Sequence, residues 1–225
     1  ECLIVTEFPM FEHDEETDFK MVYYNSDGNT SSMCGNGGRC IVAFANNLNV
    51  LKSSNCTFMA SDGLHLAAID AHQIINLKMQ DVANIKVENS YVFLNTGSPH
   101  HVQFEENLRD LDVKNVGASI RYSSLYGASG SNINFYNQID ESNFAIRTYE
   151  RGVEDETLSC GTGATAVAIA MHAMGKTKHP KIGIEVQGGK LEVSFEKKDG
   201  NYTNIYLKGP ATKVFSGTIN VDSFL

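Results

Sequence analysis

The sequence predicts two α+β domains, each a curved, mostly antiparallel sheet wrapped round one buried helix. Three observations carry that reading. First, Met33-Cys34-Gly35-Asn36-Gly37-Gly38-Arg39-Cys40 is echoed by Ser159-Cys160-Gly161-Thr162-Gly163-Ala164, each a cysteine, then Gly-x-Gly, then a small apolar run. Second, each follows a strand-like stretch and a polar turn: Phe19 to Tyr24 before Asn25-Ser26-Asp27-Gly28, and Phe144 to Tyr149 before Glu150-Arg151-Gly152. Third, a hairpin glycine lies 29 residues after each cysteine, Gly63 and Gly189, and leads towards a second strand, Ile75 to Lys78 and Ile205 to Lys208. Self-similarity at a fixed offset, here 126 residues from Cys34 to Cys160, marks a duplicated unit. The halves divide as 1–81 with 210–225, and 82–209.

Taken in order, Leu3-Ile4-Val5 reads as a short buried strand, and residues 9–18 as a polar connection before the strand at 19–24. Within that connection, Glu12-His13-Asp14-Glu15-Glu16 reads as a solvated loop with no glycine-bearing cation-binding pattern around it. The helix after Cys34 carries Ile41, Val42, Phe44, Ala45 and Leu48 at helical spacing and ends near Asn46-Asn47. The helix after Cys160 is apolar on nearly every side, from Ala164 to Met171, so it is expected to be buried all round. Gly175 with Lys176 and Lys178 supplies its stop. Strands are expected at 57–60, 64–69, 74–79, 91–94, 101–104, 133–139, 181–186, 190–196 and 204–208, with a hairpin turn at Asp199-Gly200-Asn201. A helix is expected around Glu106 to Val116.

The 225 residues carry a net charge of −9, with 42% hydrophobic and 20% charged residues, the balance of a soluble globular protein. That charge opposes binding to nucleic acid. The longest apolar run, Ala164 to Met174, is too short to span a bilayer, and no secretory segment opens the chain. Five cysteines without a signal peptide favour free thiols in a reducing cytoplasm.

A cysteine at a helix N-terminus sits at the positive end of the helix dipole beside unpaired N–H groups, which favours thiolate over thiol. The Gly-x-Gly after it lets backbone amides approach an anion, so two such loops can hold a carboxylate between two helix starts. Paired thiols on a pseudo-twofold suit inversion of a carbon stereocentre, which needs a base on one face and an acid on the other. No cofactor motif accompanies them: there is no P-loop, and neither glycine cluster has the dinucleotide pattern. Cys2, Cys40 and Cys56 read as small buried hydrophobes. Zinc is the weaker rival, because Cys34 and Cys40 lack a C-x2–4-C pairing. A disulfide between Cys34 and Cys160 is conceivable if they face one another, and would switch the acid–base chemistry off.

The two cysteine motifs, with Thr96-Gly97-Ser98-Pro99-His100-His101-Val102 and Ser131-Asn132-Ile133-Asn134-Phe135, closely resemble diaminopimelate epimerase over essentially the whole chain. The resemblance implies cofactor-independent interconversion of LL- and meso-diaminopimelate, in lysine and cell-wall precursor synthesis, by a two-domain fold usually found as a homodimer. It implies that Cys34 and Cys160 are the acid–base thiols. Gly35, Asn36, Gly161 and Thr162 would offer amides to the reacting carboxylate, and Glu150 would pair with the substrate ammonium. Arg151 would hold a substrate carboxylate, Asn25 and Asn132 would read the distal end, and His100, with Glu150, would tune the thiols. Ser98 would contact substrate where the family commonly has asparagine; its side chain is shorter but can still donate and accept a hydrogen bond. The family's opening Gly-x-Gly-Asn-Asp-Phe segment is not found here, so the chain is expected to start inside the family pattern. Two alternatives stay open: a related cysteine-pair racemase of the proline or hydroxyproline type, and an inactive, truncated ligand-binding form.

Overall fold

The computed structural model describes residues 8–24 and 34–217. In chain order their strands and helices are β1 (Phe8–Glu12), β2 (Phe19–Tyr24), α1 (Gly35–Asn47), β3 (Asn55–Ala60), β4 (Gly63–Ile69) and β5 (Ile74–Lys78). Then come β6 (Ile85–Val87), β7 (Tyr91–Asn95), β8 (Pro99–Phe104), α2 (Val113–Arg121), β9 (Asn132–Gln138) and β10 (Asn143–Glu150). The chain continues through β11 (Asp155–Thr157), α3 (Gly161–Ala173), β12 (Lys181–Val186), β13 (Gly189–Lys198) and β14 (Asn201–Pro210). No helix among the described residues is long and apolar enough to cross a membrane.

The strands hydrogen-bond in the continuous order β1-β2-β3-β4-β5-β14-β13-β12-β10-β9-β8-β7-β6, with β11 paired beside β10. Duplication is visible in the pairing as well as in the motifs. β2 runs parallel to β3 with Phe19 opposite Phe58, and β10 runs parallel to β12 with Phe144 opposite Ile184. Each copy then turns back through an antiparallel hairpin, β3–β4 and β12–β13. The halves join where β5 meets β14 antiparallel, with Leu77 opposite Leu207.

Alternating burial along β2, β3 and β14 turns one face of the sheet onto the helices. Every residue from Ala164 to Met171 is fully buried, so α3 is the axle of the second half. In α1 only one stripe is inside: Ile41, Val42 and Ala45 are buried, whereas Phe44 and Leu48 are exposed. The inner stripe runs through Gly38, Ile41, Val42 and Ala45, and Phe44, about 100° round the helix from Ala45, falls outside it. Cys40 is exposed for the same reason, against the buried reading; Cys56 is buried, and Cys2 lies outside the described residues.

Both helices end in the same motif. Val50 N–H donates to Ala45 O (3.0 Å) and Asn49 N–H to Asn46 O (3.0 Å); in the second copy Lys176 donates to Met171 O (2.9 Å) and Gly175 to His172 O (3.1 Å). The left-handed position is Asn49 (φ 56°) in one copy and Gly175 (φ 71°) in the other, 126 residues apart. Gly175→Val is therefore expected to destabilise the fold by about 1–2 kcal/mol, and Gly175→Asn by less, in urea melts.

Residues 8–12 form β1, not part of a polar connection: Phe8 to Glu12 pair with β2, the polar Glu12 opposite Lys20 at the hairpin end, so the connection shrinks to residues 13–18. The expected helix at 106–116 lies further on. Leu108–Asp110 is a 3-10 turn, and α2 starts after Asp112, whose carboxylate accepts from Asn115 N–H (3.1 Å) as its cap. Arg147 imposes this shift: its Nη1 donates to the carbonyls of Leu108, Arg109 and Leu111 while Nε and Nη2 grip Glu156 in bidentate fashion (2.6 and 2.7 Å). The short strands β6 and β11 carry no periodic signal and were not expected. Leu3 to Val5 lie outside the described residues.

Candidate active site

Cys34 and Cys160 occupy the same place in their two halves. Each is the N-cap of its helix, with extended backbone angles (φ −104°, ψ 130° and φ −120°, ψ 111°). Their carbonyls accept the first helical bonds, from Gly38 N–H (2.7 Å) and Ala164 N–H (2.9 Å). The amides before Gly38 and Ala164 in each first turn have no partner inside the helix and give each start its positive end.

The two starts abut. A Cβ on Gly161 would lie 3.0 Å from Gly35 Cα and 2.9 Å from Leu207 Cδ2, so only glycine permits this approach. Asn36 ties the starts laterally, its Nδ2 donating to Ser159 O (2.6 Å) across the seam. The cysteines are therefore held on either side of one seam, and all four described cysteines are free thiols. Among the described residues no cluster of three or more His, Cys, Asp or Glu side chains is placed to hold a metal ion.

Cys160 is only 5% exposed. Burial pushes its thiol well above the usual range, with Glu150 and Cys34 adding to the effect; the Thr162 hydroxyl and Gly163 N–H oppose it. The expected preference of a helix N-terminus for thiolate is thus outweighed by burial at Cys160, which favours the thiol. A thiolate at Cys34 further disfavours a thiolate at Cys160.

The symmetry breaks one turn along. Arg39 is 6% exposed and donates to Gly35 O (3.1 Å) and Asn36 Oδ1 (2.8 Å), with its Nε unpartnered among the described residues. Thr165, 126 positions later, makes the equivalent bond to Gly161 O (3.0 Å) without a charge. The groups acting electrostatically on Arg39 are Cys40 and Cys34. A buried guanidinium thus stands one turn into α1, where the second copy has an uncharged threonine.

Beside Cys160 lies a buried polar layer. Thr162 Oγ1 is 3.5 Å from Cys160 Sγ and 3.4 Å from Ser98 Oγ, which is 3.0 Å from His100 Nε2. His100 is fully buried, and burial, then Arg151, push its pKa down to about 3. It is neutral at physiological pH, so its influence on the thiols goes through hydrogen bonds and not through charge. Linkage follows: above pH 6.5 neither folded nor unfolded His100 is charged, and below it the unfolded chain takes a proton that the folded chain refuses. His100→Gln is expected to make unfolding free energy less steep between pH 6.5 and 5, by about 1.4 kcal/mol per unit, in denaturant melts at each pH.

Asn132 is buried, with Nδ2 donating to Ser98 Oγ (3.0 Å) and Pro99 O (3.1 Å) and Oδ1 accepting from Arg151 N–H (2.9 Å). Its amide thereby holds the 98–100 and 150–152 segments together. Glu150, half-buried at the end of β10, accepts from Thr157 Oγ1 (3.0 Å). Arg151 is exposed, with Nη1 on Ser129 O (3.0 Å). Glu154 braces the turn between β10 and β11, accepting from Tyr149 Oη (2.9 Å), Tyr122 Oη (2.9 Å) and Gly152 N–H (3.1 Å). The structure thus brings Cys34, Gly35, Asn36, Ser98, His100, Asn132, Glu150, Arg151, Cys160, Gly161 and Thr162 to the ends of elements around one seam. Asn25 lies outside the described residues. Sequence reasoning passed over Arg39 and Asn134. Asn134 was legible in principle, since alternation along β9 puts it on the face of Asn132.

The sequence model of the family described as diaminopimelate epimerase matches residues 92–214. The diaminopimelate epimerase of Flavobacterium psychrophilum is 64% identical over 210 residues, covering 93% of this chain and 82% of that protein. Among solved structures, a phenazine biosynthesis protein of the PhzF family from Bacillus anthracis superposes with a TM-score of 0.72 at 13% identity, covering 91% of this chain and 81% of that one. A probable proline racemase from Agrobacterium radiobacter superposes with a TM-score of 0.70 at 14% identity, covering 98% and 78%. At those identities the two structures speak for the fold alone.

Proposed function

The chain belongs to the diaminopimelate epimerase family, and from that premise we propose that it interconverts LL- and meso-2,6-diaminopimelate by moving one α-proton between Cys34 and Cys160. The observation that carries the mechanism is the pair of cysteine-capped helix starts meeting at Gly35 and Gly161. A thiolate on one side takes the α-proton, and the thiol on the other delivers its proton to the opposite face of the carbanion. The product leaves with the two thiols' protonation exchanged and the net charge unchanged.

Developing charge on the substrate carboxylate is met by the first-turn amides of both helices, which need no reorganisation. Glu150 suits the ammonium and Arg151 a carboxylate. Because burial favours the thiol at Cys160, the resting arrangement in this reading is Cys160 as acid and its partner Cys34 as base. The chemistry requires no cofactor. The proposed setting is lysine and cell-wall precursor synthesis in the cytoplasm, with the chain acting as a homodimer.

The test is exchange of the α-proton of LL-diaminopimelate in D2O under reducing conditions. Deuterium in a newly formed meso product supports the reading. Absence of exchange in the reduced, folded protein overturns it. Proline and hydroxyproline run in parallel separate this reading from the related racemases, since Glu150 and Arg151 fit a substrate with a second polar end.

A further inference from the structure

We propose that Asn134 is a positioning residue: it fixes the direction of a hydrogen-bond chain that ends with the Thr162 hydroxyl donating to the Cys160 sulfur. Asn134 is fully buried on β9. Its Nδ2 donates to His101 O (2.8 Å) and to His100 Nδ1 (3.1 Å), and its Oδ1 accepts from Thr148 Oγ1 (3.0 Å). A backbone carbonyl only accepts, so His101 O settles which way the amide points.

The rest follows by counting protons. His100 Nδ1 receives an N–H and must present a lone pair, so the neutral ring carries its proton on Nε2 and donates to Ser98 Oγ (3.0 Å). Ser98 Oγ also receives Asn132 Nδ2 (3.0 Å), whose own orientation is set by Pro99 O and Arg151 N–H. With both lone pairs taken, the Ser98 proton goes outward to Thr162 Oγ1 (3.4 Å). Thr162 then aims its own proton at Cys160 Sγ (3.5 Å). Polarity runs one way, from His100 through Ser98 and Thr162 to the sulfur.

The charged and titratable groups facing Cys160 are Glu150 from the end of β10 and Cys34 from the start of α1, and both disfavour its thiolate. Arg151 acts on the chain through His100. A donor aimed at the sulfur is what makes ionisation attainable in the half-cycle where Cys160 is the base. The residue 126 positions before Thr162 is Asn36, which is engaged differently: its Nδ2 donates to Ser159 O and its Oδ1 accepts from Arg39. Positions equivalent in the fold are therefore built differently, with a hydroxyl chain reaching the sulfur at Cys160 and an amide tied to Ser159 O and Arg39 at Asn36. The catalytic consequence rests on the epimerase reading; the direction of the chain does not.

The experiment is the pH dependence of iodoacetamide alkylation of Cys160 in the full chain carrying Cys34→Ser, without substrate. Thr162→Val is expected to raise the midpoint by about half to one pH unit, while Thr162→Ser leaves it in place. Asn134→Leu is expected to raise it likewise, and ring 15N shifts are expected to show the Nε2–H tautomer of His100 in the parent. An unchanged midpoint in Thr162→Val, or an Nδ1–H tautomer, overturns the proposal; if Asn134→Leu fails to fold, the Thr162 pair and the tautomer still decide. A shifted midpoint in a chain that does not epimerise diaminopimelate sustains the hydrogen-bond chain and sinks only the epimerase reading.

Discussion

Cys160→Ala and Cys34→Ala are each expected to lower epimerisation of diaminopimelate by roughly a thousandfold or more, within or beyond the usual range for losing one general acid or base. Inversion needs both faces of the α-carbon served in one turnover. With the substrate held in the seam between α1 and α3, neither remaining thiol can reach the far face. The residual behaviour is the more telling readout. A lone thiolate can still remove a proton and return one to the same face, so each variant is expected to exchange solvent deuterium into one stereoisomer without inverting it. The isomer labelled should differ between the two variants, which assigns each cysteine to its face. Near-normal turnover in either variant would sink the two-thiol mechanism. Deuterium entering both isomers equally in one variant would mean that a group other than the paired cysteines moves the proton.

Much of this was legible in the residues because the chain states it twice. Cys34 and Cys160, Gly35 and Gly161, Gly63 and Gly189, and the left-handed pair Asn49 and Gly175 all keep the same offset. The two cysteine-capped helices and the hairpins after them follow from that repetition together with hydrophobic period. Elements fixed by a distant partner were not legible. Residues 108–116 fold as they do because Arg147, far along the chain, takes three of their carbonyls. β1 is a strand because β2 offers it an edge, not because Phe8 to Glu12 alternates cleanly. The direction of the shift at Cys160 was not legible for a related reason. A helix start argues for thiolate, but the burial that outweighs it is produced by the whole second half closing over α3. Arg39 escaped notice because nothing local distinguishes a buried arginine from the exposed one expected on a helix.

The contact between the helix starts yields the other large effect. Gly161→Ala would place a methyl group 2.9 Å from Leu207 Cδ2 and 3.0 Å from Gly35 Cα. The leucine side chain can turn away, but the facing atom of Gly35 is backbone at the head of α1 and moves only if the helix does. Overpacking of this kind costs about 1–3 kcal/mol, which in a chain of this size lowers Tm by about 2–4 °C per kcal/mol. Activity should fall by more than stability. Both proposed thiols sit one residue before the clashing glycines, so whatever parts the helices parts the thiols, and misplacement of about 1 Å at a reacting centre can cost about a hundredfold in rate. Gly161→Ala is therefore expected to remain folded with kcat reduced about a hundredfold. Gly35→Ala, with its nearest contacts at 3.1 and 3.2 Å, should lose less. Gly217→Ala, where nothing among the described residues lies within 4 Å of the added methyl, should change neither Tm nor kcat. Equal kcat in Gly161→Ala and Gly217→Ala would show that the spacing of the helix starts does not govern the distance across which the proton is passed.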